Sequence, residues 1–141
     1  MNDLTIFIPE QTGVRIPDIP VRTIGIDLGT TNSTVAEAVF DPKSSQTIKV
    51  RCLEVDQLTE IGIDTDMLVP SVITLTGGKV WVGKGAKLLR SKIKERKLVR
   101  NKNIFYECKN EMGLPRIYNA PEGFQSPAEI SSQILRGPGR P

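Results

Sequence analysis

Apolar and polar positions alternate most clearly between residues 23 and 39. Ile24, Ile26 and Leu28 are separated by Gly25 and Asp27, the period-two pattern of a strand. Gly29, Thr30, Thr31, Asn32 and Ser33 follow as a turn-forming cluster, and residues 34–39 predict a returning strand. Ile48, Val50 and Cys52 alternate again after Asp41, Pro42, Ser44 and Ser45, so three adjacent strands are expected to open the domain. Residues 54–68 are acidic and interrupted by Gly62, which predicts mostly loop. Beyond Pro70, residues 72–75 and 80–82 flank Gly77 and Gly78, a hairpin pattern because glycine supplies the positive φ of a tight turn. A second, smaller sheet is expected there. Ala86, Leu89 and Ile93 fall at i, i+3 and i+7 of a lysine-rich stretch and predict a helix with a basic outer face. Ser126, Pro127 and Glu129 read as N-cap, first helical residue and capping-box partner of a last helix carrying Ile130, Ile134 and Leu135.

The flanks differ from this middle. Residues 1–22 contain Ile6 and Ile8, then Pro9, Pro17 and Pro20, which suits an extended leader strand or arm. Gly137, Pro138 and Gly139 end the last helix, so residues 137–141 are expected to form a separate tail and residues 23–136 the folded region.

Charge is distributed unevenly: residues 1–78 hold 5 basic and 11 acidic side chains, and residues 79–141 hold 14 and 5. The block from 84 to 102 has nine Lys or Arg and one acid, Glu95, but no interleaved aromatics, and is read as a solvated helix face rather than a nucleic-acid footprint. Trp81 is expected to pack within the small sheet. With two cysteines, Cys52 and Cys108, and no histidine, neither a disulfide framework nor a metal-ligand spacing emerges, and a reducing cytoplasm is expected. Cys108, although beside Lys109, is read as a semi-buried thiol rather than a redox sensor. No apolar run approaches the roughly 18 residues that span a bilayer, and the amino terminus lacks a basic-then-apolar secretory layout.

Chemistry concentrates in residues 24–33, where a strand delivers a carboxylate into a tight polar turn. At Gly29 no side chain keeps a ligand away, so successive backbone N–H groups can point at phosphate oxygens, and the hydroxyls of Thr30, Thr31 and Ser33 add donors. Asp27 offers a hard oxygen to a magnesium ion that keeps most of its waters. An ordinary hairpin turn with a surface aspartate would use the same residue types. Neither a Walker A loop nor a G-x-G-x-x-G fingerprint is present.

At these residues the sequence resembles the amino-terminal lobe of the 70-kilodalton heat-shock (DnaK-type) chaperones, within the actin and sugar-kinase fold group. Val69, Pro70, Ser71, Val72 and Ile73, with residues 78–83, are similar to the family's proline-serine strand and glycine-turn hairpin. Residues 105–113 resemble the segment that carries the family's catalytic lysine, with Tyr106 three positions before Lys109 and Gly113 four after it. The helix opening at Ser126 is similar to the next family helix.

That resemblance implies an incomplete actin-like (ribonuclease H-like) ATPase lobe of α/β class, with a small inserted α/β subdomain. It implies ATP and magnesium as ligands. Asp27 is implied as the magnesium-side acid, Gly29, Thr30, Thr31 and Asn32 as the phosphate-binding residues, and Lys109 as the group that places the attacking water or the γ-phosphate. Unfolded polypeptides and co-chaperones are implied as partners of the complete protein. Asn110, Glu111 and Met112 depart from the family's arginine-rich segment after the lysine. The second phosphate loop, second magnesium acid, adenosine-binding segment and peptide-binding domain of the family have no counterpart in the 141 residues, so half a site is expected. A non-catalytic phosphate-binding remnant and a sugar-kinase relative are the alternatives. Exposed apolar surface is expected where a second lobe would dock.

Overall fold

In the computed structural model, which describes residues 18–44 and 48–137, β1 (Val21–Leu28) and β2 (Asn32–Phe40) form the antiparallel pair that the alternation predicts. The register sets Asp27 opposite Thr34 and Leu28 opposite Ser33, and β3 (Ile48–Cys52) pairs with the far half of β2. A short strand, β6 (Val69–Pro70), extends this sheet beside the start of β2, placing Pro70 opposite Asn32 and Val69 opposite Ser33. The leader expected for residues 1–22 lies outside the described residues up to position 17, and Val21 and Arg22 already belong to β1.

The sheet is open on both faces. Opposed residues of antiparallel strands share a face, so Ile24 and Ile26 stand with Val35 and Glu37, while Asp27 stands with Thr34 and Ala36. Ile24 is 49%, Ile26 55% and Val50 69% exposed, so apolar side chains meet solvent on either side. Away from the β6 end, where Ser33, Val69 and Pro70 are buried, Glu37 is covered as well: its buried carboxylate accepts from the Nε groups of Arg22 and Arg51, which stand on the two flanking strands. The Arg51 guanidinium, aided by Arg22, holds the Glu37 carboxyl below the usual carboxylate range.

Residues 54–68 correct the loop expectation. They form a hairpin of β4 (Val55–Thr59) and β5 (Gly62–Asp66). The inward positions of β4 include Gln57 and Thr59, both buried, so the hydrophobic alternation that would have marked a strand is missing. Gln57 is held by its polar atoms instead: Nε2 donates to the Leu68 carbonyl at 3.0 Å, and Oε1 accepts from the Lys84 N–H at 2.9 Å. A buried amide satisfied at both ends avoids the desolvation penalty that an unpaired one would carry. Gly83 fits against it, with φ of 73° and a Cβ position only 2.5 Å from Gln57 Oε1.

The second sheet keeps the expected hairpin of β7 (Val72–Thr76) and β8 (Lys79–Val82) and adds a strand the sequence did not predict, β9 (Ile104–Tyr106), on the other side of β7. Gly77 and Gly78 turn the hairpin at φ of 61° and 70°. Here both faces are covered. Val72 and Ile104 pack with Ala86, Leu89 and Leu98 on the side of α1 (Lys84–Arg90), where Trp81 also packs as expected. Ile73, Val82 and Phe105 pack with Tyr118, Ile130 and Ile134 on the side of α2 (Pro127–Arg136). The Phe105 ring lies 5.9 Å from that of Tyr118 and 6.1 Å from that of Phe124.

Both helices keep their expected places with adjusted ends. The first stops at Arg90, because Ser91 and Lys92 donate to carbonyls three residues back and the Ser91 hydroxyl bonds the Leu88 carbonyl at 2.6 Å. Ile93 therefore lies beyond the helix, yet still packs against the same cluster. The second opens with the full capping box: Glu129 N–H donates to Ser126 Oγ at 3.2 Å, and Ser126 N–H to Glu129 Oε2 at 3.1 Å. Leu135 faces solvent rather than the core, and Gly137 caps the end at φ of 78°. The rest of the expected tail, residues 138–141, lies outside the described residues.

The described chain is thus mixed α/β, with antiparallel strand ladders and two α-helices. No helix among the described residues is long and apolar enough to cross a membrane.

Candidate functional site

The turn joining β1 to β2 is drawn tight enough to require glycine at its first position. A Cβ at Gly29 would sit 2.0 Å from the Asn32 carbonyl oxygen, well inside van der Waals contact. Its carbonyl groups are tied into the protein. Ser71 contributes twice, its hydroxyl donating to the Gly29 carbonyl at 2.7 Å and its N–H to the Thr31 carbonyl at 2.8 Å. Since that hydroxyl has one proton, the 3.0 Å contact between the Ser33 and Ser71 hydroxyls has Ser33 as donor. The N–H groups of Thr30 and Thr31 donate to no backbone acceptor among the described residues. With the Gly29 and Thr31 carbonyls engaged and no backbone acceptor for the Thr30 and Thr31 amides among the described residues, the turn suits an anion.

Lys109 reaches the same turn from 81 positions along the chain. It sits on a 3₁₀ turn, Cys108–Glu111, and its Nζ donates to the Leu28 carbonyl at 2.5 Å. Next to it, Asn110 Oδ1 accepts from the Thr30 hydroxyl at 3.4 Å. The acid that departs from the resemblance is turned to other partners, because Glu111 Oε2 accepts from the Tyr118 hydroxyl at 3.0 Å and lies 3.3 Å from Arg116 Nε. The 3₁₀ turn is seated by α2 and by Cys108, whose thiol is buried and pushed up by that burial, which makes it a packing residue with little thiolate character.

The sequence-derived residues are therefore brought together in part. Gly29, Thr30 and Lys109 line one small cavity with Ser71, while Thr31 lines its neighbour. Asp27 stands one residue before Leu28 on the open sheet, exposed to solvent, as suits a carboxylate that would act on a metal through water. Asn32 does not join them. It begins β2 opposite Pro70, and it lines a different cavity of about 390 Å³ together with Leu68, Lys84, Lys87 and Leu88. Among the described residues there is no group of three or more His, Cys, Asp or Glu that could hold a metal. The groups that the turn and its neighbours present are the Thr30 and Thr31 amides, threonine and serine hydroxyls, one ammonium and one exposed carboxylate.

Ser71 is the site residue that sequence reasoning left out of its role. Pro70 before it favours extended backbone, but nothing in the spacing says that the serine reaches back across 42 positions to the turn.

In the basic block, read as a solvated face, four of the nine cations have carboxylate partners while remaining partly exposed. Lys84 Nζ lies 2.8 Å from Asp64, Lys92 pairs at 2.8 Å and Arg96 more closely with Glu60, and Arg100 lies 3.2 Å from Glu107. The Arg90 and Arg100 guanidinium carbons stand 3.8 and 4.4 Å from the Tyr106 ring centre. No protein-family model matches the chain.

Proposed function

We propose that residues 27–32 and Lys109 are the first phosphate-binding half of an ATPase of the 70-kilodalton chaperone type, with the chain forming part of an actin-like lobe. The observation that carries this reading is the tying of the Leu28, Gly29 and Thr31 carbonyls by Lys109 and Ser71, while the Thr30 and Thr31 amides donate to no backbone acceptor among the described residues. A hairpin turn needs no lysine from 81 residues away. A phosphate cradle gains from one, because a fixed ammonium stabilises charge that develops on a transferring phosphoryl group.

When bound, magnesium triphosphate would supply the γ-phosphoryl group, which water attacks at phosphorus while the nucleoside diphosphate leaves. Asp27 orients the hydrated cation, the amides and hydroxyls of residues 29–31 hold phosphate oxygens, and Lys109 places the terminal phosphate or the attacking water. In the complete protein, loss of the γ-phosphate would switch a substrate domain between weak and tight holding of unfolded polypeptide, with co-chaperones acting on that cycle.

The test is equilibrium titration of the chain with Mg-ATP, paired with single-turnover hydrolysis. Binding that weakens in Asp27→Ala and Lys109→Ala, with no turnover by this chain by itself, is expected. Binding indifferent to both substitutions would overturn the phosphate reading, and measurable turnover would overturn the half-site reading.

A further inference from the structure

We infer that Lys87, with Arg90 beside it, is a second cationic contact for the phosphate chain, reaching it from α1 rather than from the Lys109 segment. This rests on the phosphate reading of residues 29–31 and assigns a residue that neither the turn motif nor the lysine segment contains. The observation is a cavity of about 50 Å³ next to the one lined by Lys109. Thr30 and Ser71 wall both, and the second adds Thr31, Lys87 and Arg90.

The charges around this cavity are unequally engaged. Glu107 also lines it, but its carboxylate pairs with Arg100 at 3.2 Å. Arg90 is fixed by stacking on Tyr106, and neither Arg90 nor Lys87 has a carboxylate partner among the described residues. The neighbouring cations Lys84, Lys92 and Arg96 are all paired with acids of the β4–β5 hairpin. What remains at the threonine turn is positive charge without a protein counter-ion. A volume of about 50 Å³ holds only a few waters, so a phosphate chain seated on the Thr30 and Thr31 amides would cross its mouth, where Lys87 lines the wall. Arg90, held by its ring contact, supplies field, and Lys87 supplies the adjustable donor. After Lys109 the chain offers Asn110, Glu111 and Met112, so no further cation comes from that side.

The experiment titrates the full chain with magnesium tripolyphosphate and with Mg-ATP, comparing wild type, Lys87→Ala, Lys87→Arg and Lys109→Ala. Lys87 is exposed, so circular dichroism is expected to leave Lys87→Ala indistinguishable from wild type. Loss of one charge-assisted contact predicts about ten-fold weaker binding of both ligands by Lys87→Ala, restored in Lys87→Arg and diminished by added salt. Wild-type binding that survives Lys87→Ala undiminished, while Lys109→Ala abolishes it, overturns this inference and leaves the phosphate site standing. A loss confined to Mg-ATP overturns it too, since the lysine would then act on the nucleoside. Failure of the wild type to bind either ligand overturns both the inference and the reading beneath it.

Discussion

The two sheets are built from similar strands and end in opposite environments. β7 and β9 place Ile73, Ile104 and Phe105 at full burial because α1 covers one face and α2 the other. β1 and β3 carry Ile24, Ile26, Ile48 and Val50 with comparable alternation, yet no helix among the described residues covers them. Strand sequence dictates the pleat and the pairing; burial depends on what packs against the face. The open sheet is held by its ladder and by the Glu37 bridge between Arg22 and Arg51, and at one end by Ser71 and Lys109. The candidate site lies at that end, where the open sheet meets the covered one, and both of its clamps come from the covered side.

The largest contrast should appear on truncating one residue from each sheet. Phe105→Ala removes a fully buried ring between Tyr118 and Phe124 and is expected to cost about 3–5 kcal/mol in urea unfolding. Ile26→Ala, half exposed, is expected to cost no more than about 1 kcal/mol. Equal costs would mean that the open face is covered in solution, and sedimentation would show whether a second copy covers it.

Ser71→Ala sharpens the comparison at the junction. It removes the hydroxyl bonds to Gly29 and Ser33, and about 1–3 kcal/mol of local stability is expected to go with them. Amide exchange should rise at residues 29–33 while β7 and β9 remain protected; uniform loss of protection would refute the separateness of the two regions. Ser126→Ala acts on the covering layer, where loss of the N-cap is expected to cost about 1 kcal/mol. A shift in the thermal midpoint without a change in the turn's exchange would place that cap in the sandwich's stability alone.

The smallest effect is electrostatic. The Glu37 carboxyl sits below its usual range, so the stability it contributes is present above about pH 4.3, the ordinary carboxylate value, and is lost as pH falls through its depressed folded value. Both arginines are largely exposed, so solvent screens much of the attraction. Glu37→Gln should flatten the acid limb of the stability profile below that pH and leave Phe105 packing intact; an unchanged acid limb would remove Glu37 from the account of the open sheet.

Legibility tracked locality. The β1–β2 alternation, the Gly77-Gly78 hairpin and the Ser126 capping box are short-range patterns, and each appears where its residues place it. The β4–β5 hairpin was not legible, since polar Gln57 and Thr59 occupy its buried positions and the partners that satisfy Gln57, Leu68 and Lys84, lie outside the hairpin. The first helix was legible in its face but not its end, because the Ser91 side chain competes for the Leu88 carbonyl. Of the candidate site, Gly29 and Thr30 could be paired with Lys109 only through resemblance, and Asn32 was grouped with them although it lines another cavity.

By itself the sequence determined the opening strands β1 to β3, the β7–β8 hairpin, the tight turn at Gly29 and the cap of the last helix, because backbone sterics and near-neighbour hydrogen bonds decide such features within a few residues. Only the tertiary structure decided that Ser71 and Lys109 converge on that turn, that Gln57 joins a hairpin to α1, and that Lys87 lines a cavity with Thr31. Those contacts span 27 to 81 positions. At such separations the packing of whole layers, rather than any local preference, sets which side chains meet.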